Sequence, residues 1–230
     1  MKIAIMQPYF FPYIGYFQLI KAVDKFVFYD DVNYIKNGWI NRNRILINGK
    51  SHYMTIQLKD ASPFKLIKDI QFSDNRPRLK KTIEQAYKKA PYFKNIWPLV
   101  ANCLDIKTQN ICELAINSIK ETCKYLDINT AFKISSKAYA ETKVFDREKR
   151  IKEICKANNA LQYINAIGGM DLYKKEPFEK DGVELNFIMA GNIEYDQNMI
   201  EFVPNLSIID VMMFNSKKEV SRMLDKYELV

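Results

Sequence analysis

The first thirty residues carry the pattern of a strand, a helix and a second strand. Residues 1–6 form a short, mainly apolar stretch that ends at the turn Gln7-Pro8-Tyr9. Apolar side chains then recur at near-helical spacing over residues 15–24, and residues 25–29 form a compact apolar run typical of a buried strand. Together these elements predict a βαβ unit, which implies a parallel sheet.

A hairpin and further strands are predicted along the rest of the chain. Asn48-Gly49-Lys50 lies between two strand-like stretches, residues 44–48 and 51–58, as in an antiparallel hairpin. Apolar runs at residues 161–164 and 183–188 are typical of buried strands.

Helical spacing of apolar residues predicts four more helices. They cover residues 77–90, 108–126, 146–158 and 206–214. Asp146 is the expected N-cap of the third, and Asn205 or Ser207 that of the fourth. The predicted fold class is therefore α/β: a Rossmann-like parallel or mixed sheet flanked by helices, with an antiparallel hairpin and a helical insertion.

Composition agrees with a globular fold. Of the 230 residues, 48% are apolar and 27% charged, and no low-complexity stretch or Pro/Gly linker divides the chain. We expect one domain over residues 1–230, with a helical sub-region over about residues 77–130. The apolar runs fall far below the ~20 residues of a bilayer span, and the N-terminal apolar stretch is too short for a signal peptide. We therefore expect a cytoplasmic protein without membrane insertion.

Cysteine and histidine usage limits the available chemistry. The four cysteines form no C-x-x-C pair, and the single histidine, His52, cannot build a His-rich metal centre. We expect no metal site and specify no cofactor. Any acid–base chemistry would then fall to Asp, Glu, Tyr, Lys or the substrate itself.

Positive charge is concentrated in the first hundred residues. Residues 1–100 carry 17 Lys and Arg against 7 Asp and Glu, and the whole chain has a net charge of +8. This excess favours an anionic partner, either a phosphate-bearing small molecule or nucleic acid. No nucleic-acid-reading motif is present, so nucleic acid is the weaker of the two. A solvated helix face rich in lysine is the alternative explanation.

Residues 7–17 are the most unusual segment, with two prolines, one glycine and six aromatic residues. The prolines stiffen the backbone, the glycine allows an anion to approach the helix N-terminus, and the tyrosines offer flat faces and hydroxyls. Open α/β sheets bind ligands at the carboxyl ends of their strands. We therefore predict a substrate-binding loop formed by Gln7, Tyr9, Tyr13, Gly15 and Tyr16. A plain aromatic core cluster is the alternative.

Two adjacent carboxylates, Asp30 and Asp31, close the second predicted strand. They lie at the same sheet edge as the first loop, and we name both as candidate catalytic residues because either could accept a proton. Strand alternation predicts that they point to opposite faces and do not share a proton.

Basic and amide side chains follow these carboxylates. Arg42 and Arg44 face one side of an extended segment, and with Lys36 they predict a clamp for phosphate or carboxylate. Asn41 and Asn43 occupy the alternate side of the same substrate-binding segment. The alternative is an edge strand with solvated charges.

A third segment, residues 163–173, runs from a strand into Gly168-Gly169 and then Asp171. Gly168, Gly169 and Asp171 are predicted to approach a ligand, because paired glycines allow a tight backbone turn. The carboxyl ends of parallel strands share one edge, so we expect this segment, the first loop and residues 30–44 to converge on one cleft. We expect Lys36, Arg42 and Arg44 to line it with Tyr9 and Asp171. A separate C-terminal lobe is the alternative.

Several of these segments resemble the WbqC-like family. The likeness rests on residues 6–20, Asp30-Asp31-Val32 and residues 39–45, and it continues through residues 87–93, 150–155, 163–173 and 202–210. The resemblance implies a role in O-antigen or other surface-polysaccharide pathways and, for some members, glycyl or other aminoacyl transfer. We expect relatives to carry a histidine in the helix near Leu79, where this chain has Arg78-Leu79-Lys80-Lys81.

Residues and resemblance together predict a transferase of bacterial surface-glycan biosynthesis. It would move a small acyl or aminoacyl group from a donor to a nucleotide-linked amino-sugar. The alternative is a non-catalytic protein that binds a nucleotide or nucleotide-sugar. Tyr13-Ile14-Gly15-Tyr16 is similar in position to the H-x-G-H turn of nucleotidylyltransferases but has tyrosine at both histidine positions, which implies a degenerate pocket of that kind.

Overall fold

The computed structural model describes all residues, Met1–Val230, as ten strands and nine helices. The strands are β1 (Lys2–Met6), β2 (Lys25–Phe28), β3 (Arg42–Ile47), β4 (Lys50–Thr55), β5 (Leu58–Lys59), β6 (Gln71–Phe72), β7 (Ala131–Ile134), β8 (Gln162–Ala166), β9 (Glu184–Ala190) and β10 (Tyr227–Leu229). The helices are α1 (Ile14–Lys21), α2 (Arg76–Tyr87), α3 (Phe93–Leu104), α4 (Ile111–Tyr125), α5 (Ser135–Ala138), α6 (Arg147–Ala157), α7 (Lys175–Glu179), α8 (Ile208–Phe214) and α9 (Lys217–Met223). None of these helices combines the length and apolar character needed to span a membrane.

Six strands form the central sheet in the order β10-β9-β8-β1-β2-β7. Neighbours from β9 to β7 run parallel, and β10 pairs antiparallel with β9 at one edge. The chain adds β2 and β7 on one side of β1 and then returns to the other side with β8 and β9. The predicted α/β class is confirmed, and the gap between β1 and β8 is the topological switch point at which such sheets bind ligands.

Apolar side chains of the central strands alternate between two hydrophobic clusters. In β1, Ile3 and Ile5 belong to the smaller cluster, whereas Ala4 belongs to the larger one. Helix α6 contributes Ile151 to the smaller cluster, and α4 contributes Leu114 to the larger. The sheet therefore has helices on both faces, as parallel crossover connections require.

The hairpin and the helical insertion lie between β2 and β7. Strands β3 and β4 pair antiparallel, and their turn residues Asn48 and Gly49 have φ of +49° and +74°. A two-residue type I′ turn needs left-handed conformations at both positions, which asparagine and glycine adopt readily. The hairpin prediction is therefore confirmed. Helices α2, α3 and α4 form the insertion, and Asp146 and Ser207 cap α6 and α8.

The sequence pattern does not predict α3, α5, α7, α9, β6, β7 or β10. Helix α3 contains Pro98 in its interior, where proline usually ends a helix. It persists because Ile96, Val100 and Cys103 bury one of its faces. Strands β7 and β10 are short, largely exposed edge strands, so they lack the apolar run that marks a buried strand.

Candidate functional site

The loop between β1 and α1 is held in a strained conformation by other elements. Phe11 is fully buried and has φ of +40°, which is unfavourable for a bulky side chain. Its amide donates to Ser118 Oγ at 3.1 Å, and its carbonyl accepts from Asn43 Nδ2 at 2.9 Å and Ser207 Oγ at 2.7 Å. Backbone strain that the surrounding structure imposes in this way is concentrated at functional sites, so this loop is a candidate part of the functional site.

A cavity of about 310 Å³ opens beside this loop, and we call it the Arg44 cavity. It is lined by Tyr9, Pro12, Tyr13, Trp39, Asn43, Arg44 and Asn205. Four predicted substrate-binding residues therefore meet in one place: Tyr9, Tyr13, Asn43 and Arg44. The cavity combines three aromatic faces with one cation and two amides, which suits a ligand that carries both a ring and an anionic group.

Arg44 gives this cavity its positive charge. Its Nη2 donates to the Asn205 carbonyl at 3.0 Å, and its guanidinium carbon lies 5.5 Å from the centre of the Trp39 ring. No carboxylate pairs with Arg44, and its Nε is buried without an acceptor. A buried donor without a partner costs about 1–3 kcal/mol. The Nη donors that make no hydrogen bond within the protein are the groups that a phosphate or carboxylate oxygen can reach.

Arg42 lies on the same face of β3 but is already satisfied. Its Nε donates to the Gly38 carbonyl at 3.1 Å, and its Nη2 donates to the Asn37 carbonyl. Its guanidinium carbon lies 4.7 Å from the centre of the Tyr53 ring. Arg42 therefore stabilises the loop before β3, and Arg44 is the arginine that faces the cavity.

The three predicted tyrosines have different surroundings. Tyr16 is buried, and its hydroxyl donates to the Gln7 carbonyl at 2.8 Å, so it stabilises the loop internally. Burial, and then the neighbouring Tyr13, raise the pKa of Tyr9 to about 12, which keeps Tyr9 neutral. The ring of Tyr13 lies over Gly15, where a Cβ would come within 2.4 Å of the ring. The Tyr13 ring, and not an anion, therefore takes the space that Gly15 leaves.

Asp30 and Asp31 are each 3% exposed and are held by protein donors. Asp30 accepts from Ser135 Oγ at 2.9 Å and from the amide and hydroxyl of Ser136 at 2.9 and 2.6 Å. Asp31 pairs with Arg150 Nη2 at 2.6 Å and also accepts from Ser135 Oγ. Strand alternation does not separate the two carboxylates, because β2 ends two residues before Asp30. Neither lines the Arg44 cavity, and their catalytic role stays a prediction.

The remaining predicted residues also lie outside the Arg44 cavity. Asn41 is buried and its Nδ2 donates to the Ile56 carbonyl at 2.8 Å, whereas Lys36 is exposed. Gly168 and Gly169 form a 3₁₀ turn directly after β8, and Asp171 is exposed.

The three predicted segments do begin at one sheet edge, since β8, β1 and β2 are adjacent and parallel. Only the first two segments contribute to the Arg44 cavity; Lys36, Arg42 and Asp171 do not line it with Tyr9, and a common cleft for all three segments stays a prediction. Arg42 turns to the loop before β3, and Lys36 and Asp171 face solvent.

A larger cavity of about 530 Å³ lies on the other side of Tyr13 and Asn205, which line both cavities. We call it the Glu194 cavity. The carboxyl end of β9 and the segment 191–206 form most of its wall. Because the backbone of Tyr13 bridges that of Ser207, and the Ile208 amide donates to the Pro12 carbonyl at 2.9 Å, this wall is joined to the strained loop.

A buried carboxylate fixes the segment 191–206. Asp210 accepts hydrogen bonds from the hydroxyls of Tyr87 and Tyr195, both at 2.7 Å, and from Gln197 Nε2 at 2.9 Å. No cation pairs with it. Burial raises the pKa of Asp210, and the three hydrogen bonds oppose that shift without cancelling it. Asp210 therefore links α2 and α8 to the wall of the Glu194 cavity.

Trp39 and Asn205 line the site, but the sequence did not predict either of them as a site residue. Trp39 precedes the basic segment and lies outside any apolar run, and this placement was the sequence signal that could have indicated a role in ligand binding. Asn205 has φ of +57°, which turns its carbonyl toward Arg44. That contact joins residues far apart in sequence, so no local pattern could reveal it.

Comparison with known proteins assigns the family. The WbqC-like protein family matches residues 7–222, which include the lining residues of both cavities. The chain belongs to the WbqC-like family. An uncharacterized protein of Mycobacterium tuberculosis is 27% identical over 219 residues, covering 93% of each chain. No solved structure matches this WbqC-like chain.

Proposed function

We propose that this WbqC-like protein is a transferase of bacterial surface-glycan biosynthesis, including O-antigen. It moves a small acyl or aminoacyl group, such as glycyl, to a nucleotide-linked amino-sugar. The observation that carries the proposal is Arg44, an unpaired guanidinium with a buried, unpartnered Nε in an aromatic cavity. The pathway comes from the family likeness. A cytoplasmic location is part of the proposal, and four buried, unpaired cysteines are typical of that compartment.

The Arg44 cavity has the groups that a nucleotide-linked sugar requires. Arg44 binds a phosphate oxygen through its unused Nη donors. Trp39, Tyr9 and Tyr13 supply aromatic faces for a ring, and Asn43 and Asn205 line the same space with amide groups. The excess of basic residues over residues 1–100 attracts the anionic ligand toward this part of the molecule.

The proposed reaction forms an amide bond. The sugar nitrogen attacks the carbonyl carbon of an activated acyl donor, a C–N bond forms, and the bond from that carbon to the leaving group breaks. The leaving group keeps the electron pair, and the nitrogen loses a proton to a base. Asp30 and Asp31 are the bases predicted from the sequence, but neither lines the Arg44 cavity or the Glu194 cavity. The half-buried Ser136 hydroxyl donates to Asp30 at 2.6 Å.

Calorimetry with nucleotide-sugars tests the proposal, and Arg42 provides a matched control. We expect Arg44→Ala to weaken binding of a nucleotide-linked amino-sugar about tenfold or more, since a charge-assisted hydrogen bond is worth about 1.5–3 kcal/mol. Arg42→Ala is expected to leave affinity within about twofold, because its donors are used by loop carbonyls. Absence of binding to any nucleotide-sugar, or equal losses in both variants, would contradict the proposed site.

The alternative function is a non-catalytic nucleotide-sugar binder. It is favoured by the resemblance of Tyr13-Ile14-Gly15-Tyr16 to an H-x-G-H turn with tyrosine at both histidine positions, and by the protein donors around Asp30 and Asp31. Asp30→Asn and Asp31→Asn separate the two functions. The transferase proposal expects loss of turnover with ligand affinity retained, whereas a pure binder shows no turnover in any form of the protein.

A further inference from the structure

The two cavities share a wall and carry opposite charges. Tyr13 and Asn205 line both of them. The residues that line the Arg44 cavity include the cation of Arg44 and no Asp or Glu, whereas those that line the Glu194 cavity include the exposed Glu194 and no Lys, Arg or His. A ligand that reaches from one cavity to the other therefore meets a positive group at one end and a negative group at the other.

Glu194 is available for a ligand. It takes part in no ion pair, and the contact made by its side chain is a hydrogen bond from Asn192 Nδ2 to Oε1 at 3.3 Å. The rings of Tyr195 and Phe202 line the same cavity and pack edge to face, with centroids 5.1 Å apart. A carboxylate beside aromatic rings is a combination that attracts an organic ammonium group.

The volumes fit two parts of one ligand. The Glu194 cavity, about 530 Å³, lies within the size range of pockets for small molecules, and the Arg44 cavity, about 310 Å³, lies at its lower end. Tyr13, 37% exposed, forms the partition between them. A phosphate at Arg44 and a sugar that extends past Tyr13 would bring the sugar substituents into the Glu194 cavity.

We propose that the Glu194 cavity binds the free ammonium group of the amino-sugar, while the phosphate of the same ligand lies against Arg44. This inference rests on the proposed function and adds the substrate class: a nucleotide-linked sugar with a free primary amine, in preference to one whose amine is already acylated. Glu194 pairs with the ammonium group, and the faces of Tyr195 and Phe202 contact the rest of the amino-sugar.

The test compares two ligands that differ only at the amine. Full-length protein is titrated calorimetrically with UDP-glucosamine, UDP-N-acetylglucosamine and UDP, and with the corresponding dTDP series, at a pH at which the amine is protonated. We expect the free-amine ligand to bind about three- to tenfold more tightly than its N-acetyl partner. Glu194→Gln should abolish that preference and leave affinity for the N-acetyl ligand and the free nucleotide unchanged.

Two control variants separate failure of this inference from failure of the proposed function. Glu201→Gln removes a carboxylate of the same segment that lines neither cavity, so it should keep the preference. Arg44→Ala should weaken all ligands alike. Equal binding of the two sugars by the native protein, or a preference that survives Glu194→Gln, would overturn the inference while the proposed function stands. Failure of all six ligands to bind would remove both.

Discussion

Gly15 and Tyr13 form one unit at the start of α1. The Tyr13 ring covers the glycine, and a Cβ there would lie 2.4 Å from one ring carbon and 2.9 Å from the next. The ring belongs to a partly exposed side chain, so it can turn aside without disturbing the buried core. Because Tyr13 separates the two cavities, its position is expected to control ligand binding more than folding.

Gly15→Ala tests this unit. We expect the free energy of unfolding to change by less than about 1 kcal/mol, since alanine favours a helix over glycine and the displaced ring is partly exposed. We expect affinity for a nucleotide-sugar to fall about tenfold, because the ring moves into one of the cavities. Chemical denaturation and calorimetry measure the two quantities.

A double-mutant cycle gives the control for Gly15→Ala. In a Tyr13→Ala background the substitution should have almost no further effect on affinity, since no ring remains to be displaced. If Gly15→Ala lowers the affinity equally in the native and the Tyr13→Ala background, Gly15 does not act through the Tyr13 ring.

At the residue scale, the sequence predicts chemistry better than it predicts contacts. Tyr9, Tyr13, Asn43 and Arg44 were selected from local pattern and do share a cavity. Arg42 and Arg44 look equivalent in sequence because both lie on one face of β3. Their hydrogen-bond partners distinguish them. Carbonyl groups of the loop before β3 accept hydrogen bonds from Arg42 only, and the carbonyl of the distant Asn205 accepts one from Arg44 only. Neither fact has a local signature.

At the element scale, the segment 191–206 depends on helix α8. The wall of the Glu194 cavity has little regular structure, and Asp210 holds it through Tyr195 and Gln197. Gln197 in turn accepts from the Val203 amide at 2.8 Å and donates to the Val203 carbonyl at 3.1 Å. A single buried carboxylate therefore connects the chain before and after this wall.

Asp210 should make stability depend on pH. Burial raises its pKa in the folded protein, so the folded state retains the proton to a higher pH than the unfolded chain does. The resulting stabilisation is complete below the unfolded pKa of about 4 and is lost as pH rises through the folded pKa. Tyr87 and Tyr195 do not interfere, because burial raises the pKa of both still further above 10.

Urea unfolding of native protein and Asp210→Asn at a series of pH values measures this effect. The native protein should lose free energy of unfolding relative to the variant as pH rises from about 4 toward neutrality. Two profiles that stay parallel over that range would show that Asp210 does not titrate as its burial requires.

Most elements with a strong local pattern were predicted, although α9 was missed despite the capping box of Ser216 and Glu219. A few neighbouring residues determine the hairpin turn, the N-cap of α6 and the apolar faces of α2 and α4. Helix α3 contradicts its local signal through Pro98 and forms because its buried face outweighs that cost. The edge strands β7 and β10 are defined by their partners, β2 and β9, and not by apolar runs of their own.

At the scale of the whole molecule, the sheet brings the site together. β1 is central, its loop follows the switch point, and β3 and the segment before α8 close around that loop. The structure confirms that the segments after β8, β1 and β2 start at one edge of the sheet. Two regions of that edge differ in their access to solvent. The loop after β1 borders open cavities, whereas Asp30 and Asp31 are buried against Ser135 and Arg150.

A crystal structure with a bound nucleotide-linked amino-sugar tests the central claim most directly. The account predicts a phosphate oxygen within hydrogen-bonding distance of an Arg44 Nη atom, a ligand ring against Trp39, Tyr9 or Tyr13, and the sugar directed past Tyr13 toward Glu194. A ligand bound instead at Gly168-Gly169 or beside Asp30 and Asp31, with the Arg44 cavity empty, would contradict it.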